Sequence, residues 1–391
     1  MLDKYEKAIK YARQSSFMDD RRHISRALFI LLFVFGPFLY WITSERSLAD
    51  TTDTVEKVFH NDEPASIQWK KGQIRGALVI LAREQDLYDI RGTMRDLEDR
   101  FNHKHGYPYI ILSEQDLSQK FRDWIHSIVP SNVYFGHIDE QVWNEPSWID
   151  TQLAEEKALE MHRHGVYHGE SMSWRKMARS QFNSGFLAHH PLLTDAEYYW
   201  KVNPQSRYLC DVEEDPFYIM KANDKKLAFA ISMYEDQRTM PTLWTTIQSY
   251  IYKNPDKVLN PDKSILPWIS DNGRFNGCHF WNNFMIASLD FLRSDDYNDL
   301  FHYLDTSGGF FYERWGDAIF QTMAAALFLE RRQVLYMENM GYAYSVATNC
   351  PVDKQAARRL NCICDPEQSF VYHQFSCTEA LLQLQLQDSA Q

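Results

Sequence analysis

Glu235 in SMYEDQ and Asp317 in RWGDA are carboxylates able to accept hydrogen bonds from hydroxyl or amide donors, and Trp281 in CHFW is a flat indole able to stack on an apolar face. Each also has a plainer reading, core packing for Trp281 and a helix cap or ion pair for Asp317. Arg83 ends RGALVILAR and Arg175 lies in SWRKMAR. Guanidinium groups suit phosphate oxygens, although Arg83 could equally serve a surface salt bridge. No G-x-G-x-x-G and no P-loop occurs, which argues against a dehydrogenase or a P-loop phosphoryl-transfer enzyme.

The elements that must position these groups are legible around them. Ala77 to Ala82 (ALVILA) is an apolar run suited to a buried parallel strand, and Leu87, Ile90, Met94, Leu97 and Phe101 follow at helical spacing. Tyr107 to Leu112 reads as a second strand, which completes a βαβ unit. Val133 to Phe135, Tyr198 to Val202 and Leu227 to Met233 extend the alternation, so a mostly parallel central sheet flanked by helices is predicted. Ligands of such sheets sit at the carboxyl ends of the strands, which is where Arg83 falls.

The 391 residues, 45% hydrophobic and 15% aromatic, can bury one large core or two moderate ones. A formal net charge of −12 argues against a nucleic-acid partner, because phosphate binding draws on clustered Lys and Arg. Lys and Arg residues crowd the first 26 positions, and an uncharged run from Ala27 to Ile42 follows. At ~1.5 Å per residue its sixteen positions reach about 24 Å, short of a ~30 Å bilayer core, so a buried helix competes with a membrane span. The basic flank, and Tyr40 and Trp41 at the far end, favour a signal anchor with a cytosolic tail at 1–26 and the rest in a lumen. A polar stem at 43–71, a folded domain at 72–377 and a polar tail at 378–391 complete the predicted organisation. Four of the six cysteines fall in the last 42 residues, which suits a disulfide framework in an oxidising lumen. A zinc site would want separated C-x-x-C or C/H pairs, which Cys362, Cys364 and His373 do not provide. No N-x-S/T sequon is present.

RGALVILAR with MRDLEDRFNHKHGYPYIIL, YFGHIDEQVW, YYWKVNP with YLCDVEEDPF, PTLW, GCHFWNNF, GGFFYERWGDA and MGYAYSVATNCP resemble, in order, the fungal Golgi α-1,2-mannosyltransferases of glycosyltransferase family 15, from about Arg75 to Cys377. The resemblance implies a GT-A type nucleotide-sugar fold in a single-pass type II protein of the Golgi or endoplasmic reticulum membrane. GDP-mannose and Mn²⁺ would serve to extend O- and N-linked glycans of glycoproteins with retention, and other mannosyltransferases are possible partners. It places Arg83, Trp174, Arg175 and Ser184 beside the donor, and Glu235, Trp281 and Asp317 on the acceptor side. Trp174 stands where the family has a tyrosine.

The chain departs from the family where the chemistry is done. The glutamate and histidine that hold manganese in the family align with Asn203 and Tyr344 here, and the proposed nucleophilic glutamate aligns with Met285. A neutral amide and a phenol bind Mn²⁺ weakly, and a thioether supplies no negative charge to an oxocarbenium-like centre. Three readings follow: an active mannosyltransferase with an altered, metal-independent site; a catalytically impaired relative that binds mannans or supports a partner enzyme; and a transferase for another sugar nucleotide. Glu213, Glu214 and Asp215 are candidate replacement ligands, although such an acidic run usually forms a solvated face.

Overall fold

The computed structural model of the chain describes residues 67–129, 132–166, 171–172, 175–176 and 185–388. All of them belong to one unit spanning Asp62–Gln391. The cytosolic tail and anchor predicted for 1–42, and the stem up to residue 66, lie outside the described residues. Among the described residues no helix is long and apolar enough to cross a membrane.

A seven-stranded sheet forms the centre, with Gly76–Leu81 near its middle. Tyr109–Ser113 and Val133–His137 add in parallel on one side, and Tyr198–Val202 adds in parallel on the other. Beyond it come Phe284–Ser288, Leu227–Phe229 and Val334–Tyr336. Phe284–Ser288 runs antiparallel to both neighbours, so four of the six pairings are parallel and the sheet is mixed. The predicted strands at Ala77, Tyr107, Val133 and Tyr198 are present. The run Leu227 to Met233 is not one strand. Leu227–Phe229 stays in the sheet, whereas Ser232–Tyr234 turns away to pair with Cys278–Phe280.

Helix Leu87–Leu97 buries Leu87, Ile90, Met94 and Leu97 against the sheet, as their spacing requires. A π-helical turn at Glu98–Asn102 then lets Phe101 reach the same core, and the segment ends at Gly106 with φ 72°. The opposite face of the sheet is covered by helix Asp317–Phe328, which is apolar on almost every side and correspondingly buried.

Three disulfides, Cys210–Cys362, Cys278–Cys377 and Cys350–Cys364, bind the C-terminal segment to the domain, which realises the predicted framework. Gly341 has φ 58°, and a Cβ there would lie 2.3 Å from the Cys210 sulfur, so only glycine lets the hairpin that follows approach this bridge. Two predicted boundaries move. Trp69 Nε1 donates to the Gly76 carbonyl and Lys70 Nζ to that of His105, so the folded domain includes the end of the predicted stem. The predicted polar tail is a helix, Thr378–Asp388, because Leu381 is fully buried and Gln385 Nε2 donates to the Arg331 and Val334 carbonyls.

One buried histidine gives the fold a pH dependence. His190 Nδ1 accepts from the Leu192 N–H at 3.2 Å, so Nε2 carries the proton and faces the His137 carbonyl at 3.3 Å. Protonation would set a second proton against the Leu192 N–H, and burial holds the pKa down at about 4. Between roughly pH 6.5 and that value the unfolded chain binds a proton that the folded chain refuses, so stability falls on acidification, by about 2 kcal/mol at pH 5. His105, His189 and His279 are shifted the same way by burial. Tm should fall steadily from pH 7 to pH 5, and less so in His190→Gln. A Tm that rises over that range contradicts the assignment.

Candidate functional site

The chain leaves Gly76–Leu81 to build outward through Tyr109–Ser113 and Val133–His137, then returns to place Tyr198–Val202 on the other flank of the same strand. Strand order therefore reverses between Gly76–Leu81 and Tyr198–Val202, and in sheets of this kind ligands bind outside the carboxyl ends of the strands at that point. Arg83 follows the first and Asn203 the second. Because Phe284–Ser288 is antiparallel, it delivers its amino end, preceded by Trp281, Asn282 and Asn283, to the same edge of the sheet.

Tyr199 and Lys201 alternate onto the face covered by helix Asp317–Phe328, and Met285 stands directly opposite Lys201 across the strand pair. Lys201 Nζ lies 3.0 Å from Asp317 Oδ2, with the lysine 11% and the aspartate 10% exposed at the side chain. Asn282 Nδ2 donates to the same oxygen at 2.8 Å and to Gln321 Oε1 at 3.1 Å. Gln321 Nε2 in turn donates to the Tyr199 hydroxyl at 3.3 Å, and that hydroxyl reaches the Met285 sulfur at 3.9 Å. Burial pushes the Tyr199 phenol well above its ordinary pKa, so it stays neutral. Asp317 is the first residue of its helix, where the backbone amides favour a carboxylate. Met285 is completely buried at the floor of this network.

Two acceptor-side residues flank one strand pair nearby, Glu235 at one end and Trp281 at the other. Trp281 is half-buried and packs edge-to-face on Tyr344, with ring centroids 5.3 Å apart. Glu235 follows strand Ser232–Tyr234, which pairs with the Cys278–Phe280 strand leading into Trp281. One Glu235 oxygen accepts from the Asp236 N–H at 2.9 Å and lies 3.5 Å from Arg314 Nη2. His279 is fully buried on the strand between them, and burial lowers its pKa, which keeps the imidazole neutral.

The donor side is partly in view. Arg83 Nε lies 3.4 Å from Glu114 Oε1, so the salt bridge anticipated for it exists, at the carboxyl ends of two adjacent strands. Arg175 is completely buried, and its Nε donates to the Glu313 carbonyl at 2.8 Å. As placed, that guanidinium braces the segment before RWGDA. Trp174 and Ser184 lie outside the described residues. Gly185, next to Ser184, is held so closely that a Cβ would come within 2.4 Å of the Phe301 ring.

The donor set does not fit Mn²⁺. Asn203 offers a neutral amide, and Tyr344 a phenol whose ring is committed to Trp281. Among the described residues the one cluster of His, Cys, Asp or Glu close enough to hold a metal is Cys210, Cys362 and Cys364, all in disulfides. Two of the three acids in the run serve the fold. Asp215 caps helix Pro216–Ala222 and accepts from the Tyr107 hydroxyl, and Glu213 pairs with Arg359.

Reasoning from sequence did not single out Lys201, Asn282 or Gln321. The signal for Lys201 was present: a lysine inside YYWKV, a strand buried on both faces, requires a buried counter-charge.

The α/β domain, with its strand order reversing beside Gly76–Leu81, has the general architecture of nucleotide-binding doubly wound folds. The sequence model of the family described as Glycolipid 2-alpha-mannosyltransferase matches residues 42–386. The chain is 42% identical over 308 residues to Glycolipid 2-alpha-mannosyltransferase 1 of Candida albicans, covering 78% of this chain and 70% of that protein. It is 39% identical to Alpha-1,2 mannosyltransferase KTR1 of Saccharomyces cerevisiae, covering 78% and 77%. The crystal structure of mannosyltransferase Ktr4p from S. cerevisiae in complex with GDP superposes with a TM-score of 0.76 at 30% identity, over 87% of this chain and 91% of that one. The Mn/GDP form of core-mannan synthase A from Aspergillus fumigatus gives 0.72 at 29% identity, over 83% and 86%. The chain belongs to this α-1,2-mannosyltransferase family.

Proposed function

We propose that this protein transfers mannose from GDP-mannose to a mannose residue of N- or O-linked glycans, with retention and without a metal ion. The Lys201–Asp317–Asn282 network, set beside Trp281 and Glu235, carries the reading. Trp281 offers the acceptor ring an apolar face, while Glu235 and Asp317 accept from its hydroxyls. Arg83 supplies positive charge toward the diphosphate. Met285 offers no carboxylate, so a covalent glycosyl intermediate at that position is ruled out by its chemistry. A front-face route fits instead. The bond from the anomeric carbon to the phosphate oxygen breaks, the acceptor oxygen bonds to the same face of that carbon, and the acceptor proton passes to the departing phosphate. Anchoring by residues 27–42 in a Golgi or endoplasmic reticulum membrane, with the domain in the lumen, belongs to the same proposal.

Incubating the purified protein with GDP-mannose and α-methyl mannoside, with and without Mn²⁺ or EDTA, tests it. Transfer that EDTA leaves unchanged is expected. No transfer alongside measurable mannoside binding would instead assign the chain an accessory role. Trp281→Ala should raise the acceptor KM about tenfold, the weight of one aromatic contact, while Trp281→Phe recovers most of the loss. An unchanged KM would place the indole outside the acceptor cleft.

A further inference from the structure

A second concavity, of about 570 Å³, opens in the disulfide-bound C-terminal lobe, where Val346, Thr348, Ile363, Gln368, Tyr372 and His373 line it. Its apolar walls face water: Val346 is 95% exposed, and Ile363 and Tyr372 are 65% exposed. Its lining includes Asp365 and Glu367 but no lysine or arginine, which disfavours a phosphate or nucleotide. The acids already have partners. Asp365 accepts from the Glu367 N–H and from Gln368 Nε2, and Glu367 pairs with Lys354. Aromatic and aliphatic faces interleaved with amide, hydroxyl and carboxylate oxygens suit a neutral, hydroxyl-rich ligand.

Both rims of the concavity are tied to the acceptor-side residues. On one rim, Val346 is two residues along the Tyr342–Asn349 hairpin from Tyr344, whose ring packs on Trp281. On the other, the His373 and Phe375 rings lie 5.4 Å apart, and the Phe375 carbonyl accepts from the N–H of Tyr234, the residue before Glu235. Phe375 and Tyr234 are themselves 56% and 47% exposed, so a strip of aromatic surface leads from Glu235 into the concavity.

We infer that this concavity is a distal subsite for further mannose units of an extended oligomannoside acceptor, an assignment that rests on the mannosyl-transfer reading above. A chain seated by its terminal mannose at Trp281 and Glu235 runs along Tyr234 and Phe375 and lays later rings on Tyr372 and His373.

The test compares binding of α-1,2-linked mannotetraose and methyl α-mannoside to the purified full-length protein by saturation-transfer NMR, without donor, for the parent, Tyr372→Ala and His373→Ala. The tetrasaccharide should bind the parent at least tenfold more tightly than the monosaccharide. Either substitution should remove most of that advantage and leave methyl mannoside affinity unchanged, with Tm confirming that the variants fold. Equal affinities in the parent, or equal loss of both ligands, overturns the subsite. So does a lysine-rich peptide that binds there in place of the tetrasaccharide. Because binding is read without donor, absence of mannosyl transfer would overturn the activity and leave the chain-length preference standing.

Discussion

Asp317→Asn is expected to lower kcat/KM for the mannoside acceptor about 100-fold and to leave the KM for GDP-mannose nearly unchanged, because it removes a charged hydrogen-bond acceptor for the acceptor hydroxyls. Asp317 is the carboxylate that Lys201 and Asn282 hold in place beside the buried thioether of Met285. The substitution also strands the Lys201 ammonium among buried neighbours, and breaking such a pair from one side costs about 3–5 kcal/mol. Lost activity could then be mistaken for lost folding, and the double variant Lys201→Gln, Asp317→Asn separates the two. With both charges gone, stability should return most of the way while activity stays low. If activity returns together with stability, Asp317 serves only to neutralise Lys201, and the acceptor-binding reading of that carboxylate fails.

Much of the fold and part of the site were legible in the sequence, and the difference follows from range. Runs such as ALVILA announce buried strands because a parallel strand covered on both faces needs apolar side chains throughout. Phe284–Ser288 is just as apolar, yet its antiparallel course depends on the turn at Trp281–Asn283 and on partners at least 82 and 56 residues away. Leu227 to Met233 reads as one strand because nothing local marks the departure at Ala230 and Ile231. The disulfide partners could not be deduced from spacing, since six cysteines allow 15 pairings. At the site, the resemblance located Glu235, Trp281 and Asp317, and the fold brings the elements that carry them to one edge of the sheet. The network linking Asp317 to Lys201, Asn282, Gln321 and Tyr199 joins residues up to 122 positions apart, so only the folded chain reveals it.

Restoring the family pattern at all three divergent positions, with Asn203→Glu, Tyr344→His and Met285→Glu, should raise kcat about tenfold or more and make the added rate depend on Mn²⁺. A carboxylate and an imidazole are ligands that a divalent ion recruits, which an amide and a phenol are not. Trp281 and Phe284 bound the turn between the two positions: Tyr344 packs on Trp281, and Asn203 follows Val202, the partner of Phe284. The sheet also prepares for the third change. A glutamate at 285 would stand directly across from Lys201, at the ~5 Å spacing of cross-strand neighbours, and within reach of the Tyr199 hydroxyl. The buried charge therefore meets a cation and a donor, and the variant should fold. In the family the proposed nucleophile stands at this position, and the substitution restores its residue type. The single variant Met285→Glu separates the contributions, since it should raise activity without creating a metal requirement. A parent enzyme that already turns over at ~1 s⁻¹ and is stopped by EDTA would sink the argument, because the metal would then be held by residues other than Asn203 and Tyr344.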